Sequence, residues 1–165
     1  MVILVEVVIV LFLILINGIL AMSEIAIVSA RRPRLQQRAA EGEKGARLAL
    51  DLAAAPEHFL STVQIGITLV GILAGAFAGA TIAKVMSEQL NQVPWLAPYS
   101  DALSVALVVI AITYFSVVLG ELVPKTIGLS HAERVALIVA RPMLTLSVIT
   151  YPVVRVLSFS TRTVI

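Results

Sequence analysis

"ALSVALVVIAITYFSVVLGELVPKTIG", residues 102–128, decides the class of this chain. Its first part, 102–119, carries no charge at all, and then a glutamate, a proline and a lysine follow at Glu121, Pro124 and Lys125. A segment suited to hydrocarbon therefore ends in groups that hydrocarbon excludes. Composition agrees with the local reading. Of 165 residues, 59% are hydrophobic and 13% charged, with a mean hydropathy of +1.02. A soluble domain is about half apolar and about one quarter charged, so the chain is a membrane protein. It has no cysteine, which removes disulfides and thiolate metal sites.

Working outward from this stretch, two further apolar runs emerge. The first extends from Val7 to Ala30, interrupted only by Asn17, Ser23, Glu24 and Ser29, and satisfies the roughly 20 residues of a spanning helix. With no Lys or Arg ahead of it and no small-residue cleavage site, it does not read as a signal peptide. The second covers about Phe59 to Met86, with Lys84 able to snorkel at its far end. The spans are expected at about 4–30, 58–86 and 101–124.

Charge fixes the expected orientation. The polar, alanine-rich segment 31–57 carries Arg31, Arg32, Arg34, Arg38, Lys44 and Arg47, whereas 87–101 has no Lys or Arg and holds Trp95 and Tyr99. The positive-inside rule places 31–57 in the cytoplasm as a helical hairpin, the N-terminus outside and the C-terminus inside. The chain is thus expected to be multi-pass in the inner (plasma) membrane. Residues 133–165 are apolar enough for a fourth span, but hold Arg141, Arg155 and Arg162, with Pro142 and Pro152 between them. Arginine is expensive at membrane depth, and proline interrupts a helix ladder. An amphipathic belt helix at about 133–160, bent at the prolines, is the preferred expectation. A fourth span is the alternative, with Arg134 and Arg141 marking a helix end. The final residues, 161–165, carry no terminator signal, so a piece of a longer protein is expected.

In this orientation, polar residues of all three spans fall at one depth, toward the cytoplasm. They are Ser23 and Glu24 of the first, Ser61, Thr62, Gln64 and Thr68 of the second, and Glu121 at the end of the third. Ser61, Gln64 and Thr68 share a helix face, and the stripe continues as Gly71, Gly75 and Gly79, which invites close helix packing. Thr113, Ser116 and Gly120 form a similar stripe. On the first helix, Asn17 and Glu24 share a face and Ser23 points about a quarter-turn away, so spacing leaves open which of Ser23 and Glu24 faces the cluster. Pro124 has no N–H, so the Gly120 carbonyl loses its helical partner and must line a cavity or bind something.

With the Glu121 carboxylate, the Ser61 hydroxyl and oxygens from the first helix, this is an all-oxygen site of the type hard cations such as Mg²⁺ prefer. The histidines, His58 and His131, sit at span ends, away from the cluster. A bland alternative remains for Glu121, which can pair with Lys125 at i, i+4. Serine and threonine in a span are often packing hydrogen bonds, and the glycine stripe reads as packing. No catalytic residue is assigned, and an enzyme is not expected.

Three motifs carry a family resemblance: "NGILAMSEIAIVSARRPRL" (17–35), "FLSTVQIGITLVGILAGAFAGA" (59–80) and "GELVPKTIG" (120–128). In this order they resemble the transmembrane domain of the CorC/cyclin M (CNNM) family, also called hemolysin-like proteins. The resemblance implies an all-α membrane domain with three transmembrane helices, a juxtamembrane belt helix and a homodimer. It implies export of Mg²⁺, with Na⁺ as counter-ion, and no nucleic acid. It also implies cytosolic CBS domains that bind ATP, a region absent from these 165 residues, so nucleotide regulation is not assigned to them. Carried onto this chain, the family's ion site implies Ser23, Ser61 and Glu121 with its bent backbone; the Gly120 carbonyl freed by Pro124 completes the expected metal ligands, and Asn17, Glu24, Gln64, Pro124 and Lys125 are the candidates behind them. The opposing class is a cation-sensing membrane anchor that signals without transporting. A pore-forming hemolysin fits poorly, because no polar stripe continues through the outer half of the spans.

Overall fold

Long uncharged runs become long helices in lipid, because each backbone N–H and C=O must be satisfied inside its own segment. The computed structural model describes residues 2–164, and every regular element among them is helical. The side chain of Arg162, one of the arginines weighed against a fourth span, lies outside the described residues, as do Met1 and Ile165. In chain order the helices are α1 (Val2–Ser29), α2 (Arg32–Ala40), α3 (Lys44–Ala54), α4 (Pro56–Phe77), α5 (Ala83–Leu90), α6 (Ser100–Val117), α7 (Val123–Ser130) and α8 (Ala132–Val164). Two π-helical turns, Ala78–Ile82 and Val118–Leu122, join α4 to α5 and α6 to α7 without a break. Four helical stretches are long and apolar enough to cross a membrane: Ile3–Ser29, Pro56–Phe77, Ala97–Ser130 and Ala132–Leu157. The chain is a multi-pass, all-α membrane protein.

Two compact units divide the chain. The first comprises Met1–Gly18 and Thr68–Val123. Its core is Val10 and Ile14 of α1, Ala78, Ala83 of α5 and Val108 of α6, flanked by Ile82, Met86 and Ile112. The small side chains of Ala78 and Ala83 let the second helical run lie close against its neighbours. At its turn, the Ser87 hydroxyl donates to the Asp101 carboxylate. Trp95 and Tyr99, the aromatics expected at an interface, are both exposed.

The second unit comprises Ile19–Ile67 and Pro124–Ile165. Its α2 and α3 pack together, joined through Gly42, whose φ of 94° is a conformation that L side chains rarely adopt. α3 lies on α8. The approach is close: a Cβ at Gly45 would stand 2.6 Å from the Leu137 carbonyl oxygen. The buried positions Ala132, Ala136, Val139, Ala140 and Met143 of α8 recur at helical spacing. Arg34 and Glu133 meet at 3.5 Å, an exposed pair that contributes little. α8 runs through Pro142 and Pro152 as one helix of 33 residues, so neither proline ends it.

Candidate cation site

The proline of the opening motif acts through the turn before it. In the π turn Val118–Leu122, the Val123 N–H donates to the Val118 carbonyl, five residues back. Widening the turn in this way lets the helix continue past Pro124, which has no N–H to offer Gly120. The Gly120 carbonyl is taken up from another quarter: the Asn17 side-chain amide donates to it at 3.0 Å across 103 residues of sequence. Glycine eases this approach. A Cβ at position 120 would meet Asn17 Nδ2 at 3.2 Å and the Ile14 carbonyl oxygen at 3.4 Å.

That hydrogen bond fixes which end of the amide faces the carbonyl, since an oxygen there would face another oxygen. Asn17 Oδ1 consequently points elsewhere, and it is buried without a hydrogen-bond partner. An orphaned buried acceptor costs about 1–3 kcal/mol. A bound cation is one of the few groups that relieves it. Glu121 is partly buried and follows Gly120 in the same unit. The first unit thus holds an amide oxygen on Asn17, and a backbone carbonyl with a second lone pair and a carboxylate on the adjoining residues Gly120 and Glu121.

Replacing Asn17 with leucine keeps the branched outline of the side chain but strips the Gly120 carbonyl of its donor. Stability is expected to fall by about 1–3 kcal/mol, read as a lower thermal midpoint in detergent. A midpoint equal to the parent's would mean that the amide does not hold the π turn.

Ser23 and Ser61 belong to the second unit. Ser23 is fully buried, and its hydroxyl donates to the Ile19 carbonyl at 2.6 Å, leaving its oxygen lone pairs available. The neighbouring Glu24 carboxylate lies 3.9 Å from Lys125 Nζ. Ser61, Gln64 and Thr68 are exposed along α4, whereas Thr62, beside them, is buried and bonded to the His58 carbonyl at 2.9 Å and to Thr150 at 3.2 Å. Among the described residues, no group of three or more His, Asp or Glu is gathered as a metal site.

Nothing in the local sequence reveals the Asn17–Gly120 bond, because its partners lie at opposite ends of the chain. Gly71, Gly75 and Gly79 have open space where a Cβ would be. They line a groove of about 300 Å³ with Val109, Thr113 and Ser116 of α6.

Comparison with known proteins agrees with the motifs. Residues 8–165 match the cyclin M transmembrane N-terminal domain. The chain is 54% identical over 153 residues to the UPF0053 protein sll0260 of Synechocystis, covering 93% of this chain and 34% of that protein. It is 32% identical over 158 residues to the UPF0053 protein YhdP of Bacillus subtilis, covering 96% and 36% respectively. The polyamine export protein of Haemophilus influenzae is 30% identical over 128 residues, covering 76% of this chain and 29% of that protein. The chain spans about a third of the length of the first two relatives.

Proposed function

The chain belongs to the cyclin M transmembrane family, and from that premise we propose that it transports Mg²⁺ through an all-oxygen site near the cytoplasmic ends of its spans. The observation that carries this reading is the buried, unpartnered Oδ1 of Asn17, whose Nδ2 donates to the carbonyl of Gly120, the residue before Glu121. Mg²⁺ takes octahedral oxygen ligands at about 2.0–2.1 Å and gives up water reluctantly. A single carboxylate with neutral oxygens suits an ion that must also leave. Glu121 offsets the ion's charge, Gly120 supplies a carbonyl, and the motifs add the hydroxyls of Ser23 and Ser61. Asn17 joins as a ligand rather than a supporting residue, with Glu24, Gln64, Pro124 and Lys125 around the site. Export with Na⁺ as counter-ion, three spans with α8 as a belt helix, and an N-terminus outside the inner (plasma) membrane complete the reading. ATP acts only through CBS domains beyond these residues.

The test is flux from proteoliposomes loaded with Mg²⁺, with and without a Na⁺ gradient. Saturable Mg²⁺ efflux supports transport. Binding without flux supports the sensing anchor. Because one relative carries the name of a polyamine exporter, spermidine is the control cargo, and spermidine efflux without Mg²⁺ efflux overturns the Mg²⁺ assignment.

Assembly as a homodimer through the glycine groove belongs to the same proposal. Open space at Gly71, Gly75 and Gly79 suits a second backbone, since close packing is what holds helices together in lipid. Gly75→Leu is expected to convert the detergent-solubilised dimer largely to monomer while the helical content stays unchanged. A fully dimeric variant would move the interface elsewhere.

A further inference from the structure

A second polar cavity lies wholly within the second unit, where the start of α4 meets the later part of α8, and its volume is about 470 Å³. α4 contributes Glu57, His58 and Ser61; α8 contributes Tyr151, Arg155 and Phe159. The His58 and Tyr151 rings stack at 5.7 Å with an interplanar angle of 24°, which braces the two walls. Glu57 and Arg155 carry opposite charges on the same cavity, yet no ion pair joins them. Neither side chain makes a hydrogen bond or ion pair with another described residue. Flexible side chains of opposite charge that share a cavity and stay apart leave room for something carrying both charges.

We propose that this cavity binds the zwitterionic headgroup of a phosphatidylethanolamine lipid. Arg155 donates to the phosphate, as guanidinium groups do with charge-assisted bonds. The Ser61 and Tyr151 hydroxyls are further donors in the same wall, and the first backbone N–H groups of α4 favour negative charge nearby. The Glu57 carboxylate accepts from the ammonium. An anionic headgroup would satisfy Arg155 and be repelled by Glu57, so net neutrality of the lining selects the zwitterion. The lipid rather than a soluble zwitterion is indicated by α8 itself. Phe159 in the cavity wall is exposed, and the same stretch of α8 exposes Val153, Val156 and Leu157 on its other side, apolar surface that acyl chains cover and water does not. The site shares Ser61 with the Mg²⁺ reading, whereas Glu57, Tyr151 and Arg155 belong to it alone.

The test uses the full chain in detergent with EDTA present, so that cation binding plays no part. Native mass spectrometry would measure binding of added dimyristoyl phosphatidylethanolamine, phosphatidylglycerol and phosphatidylcholine. One ethanolamine lipid per protomer is expected, held at least about tenfold more tightly than either competitor. Choline lipid lacks an N–H for Glu57; glycerol lipid lacks the cation. Arg155→Gln should lose that tenfold, Arg155→Lys should keep part of it, and Glu57→Gln should weaken ethanolamine lipid while sparing glycerol lipid. Circular dichroism checks that each variant is folded. Equal binding of the three lipids, or unchanged binding in both neutralised variants, overturns the proposal. Displacement of the lipid by equimolar soluble O-phosphoethanolamine overturns the assignment to a lipid.

Discussion

Glu121→Gln is expected to lower Mg²⁺ affinity by about a hundredfold or more and to abolish measurable efflux. The substitution preserves shape and removes the one negative charge on the Asn17–Gly120–Glu121 side of the site. A divalent ion leaves its hydration shell only when protein charge compensates it, and removing one partner of a buried charge pair costs about 3–5 kcal/mol, or more than two decades in affinity. Two readouts separate the outcomes: efflux from proteoliposomes, and the rise in thermal midpoint on adding Mg²⁺ in detergent. Loss of both, in a protein whose midpoint without Mg²⁺ is unchanged, supports a ligand. A full Mg²⁺-dependent rise in the variant would remove Glu121 from the site.

Gly128→Val is expected to be among the most destabilising single changes in the second unit. A Cβ at Gly128 would fall 2.5 Å from Ile25 Cγ2 and 2.8 Å from the Met22 carbonyl oxygen. The isoleucine methyl can turn aside, but a backbone oxygen inside a helix cannot move without disturbing its neighbours. Overpacking of this kind typically costs about 1–3 kcal/mol, and the added branch of valine places this case at the upper end, about 3 kcal/mol. The same exchange at Gly71 should be nearly neutral for the isolated protomer, because that position faces open space. Thermal midpoints in one detergent compare the two directly. Equal midpoints would mean that the approach of α7 to α1 is looser than these distances describe.

The membrane class, the apolar runs and the helical segment 31–57 were legible in the sequence, because burial in lipid constrains composition over whole segments. The candidate site was legible only in part. That Pro124 would release the Gly120 carbonyl follows from covalent structure alone. That Asn17 receives it does not, since the donor sits 103 residues away. The stripe of Thr113, Ser116 and Gly120 shows how a π turn defeats helical counting. Thr113 and Ser116 line the groove with the glycines, while Gly120, beyond the start of the wide turn, packs against Ile14 and Asn17. A uniform 3.6-residue period cannot anticipate that change of face. Pro142 and Pro152 were legible as obstacles, yet α8 passes both, with Val139 and Met143 on either side of Pro142 held in buried packing.

The π turn at Ala78–Ile82 carries a consequence for insertions and deletions. Such a turn is an α-helix holding one surplus residue. Deleting any one residue from it would let the backbone relax into a regular helix, chemically unremarkable along its own length. Because five residues in the wide turn carry the chain about as far round as four in an α-helix, everything after the deletion would keep its face. Ala83 and Met86 would still meet Val10, Ile14 and Val108 in the core. The same deletion at Lys84, in the regular helix that follows, would instead turn the rest of α5 by about 100°. Related chains that keep this packing should therefore lose one residue at the turn more readily than within α5.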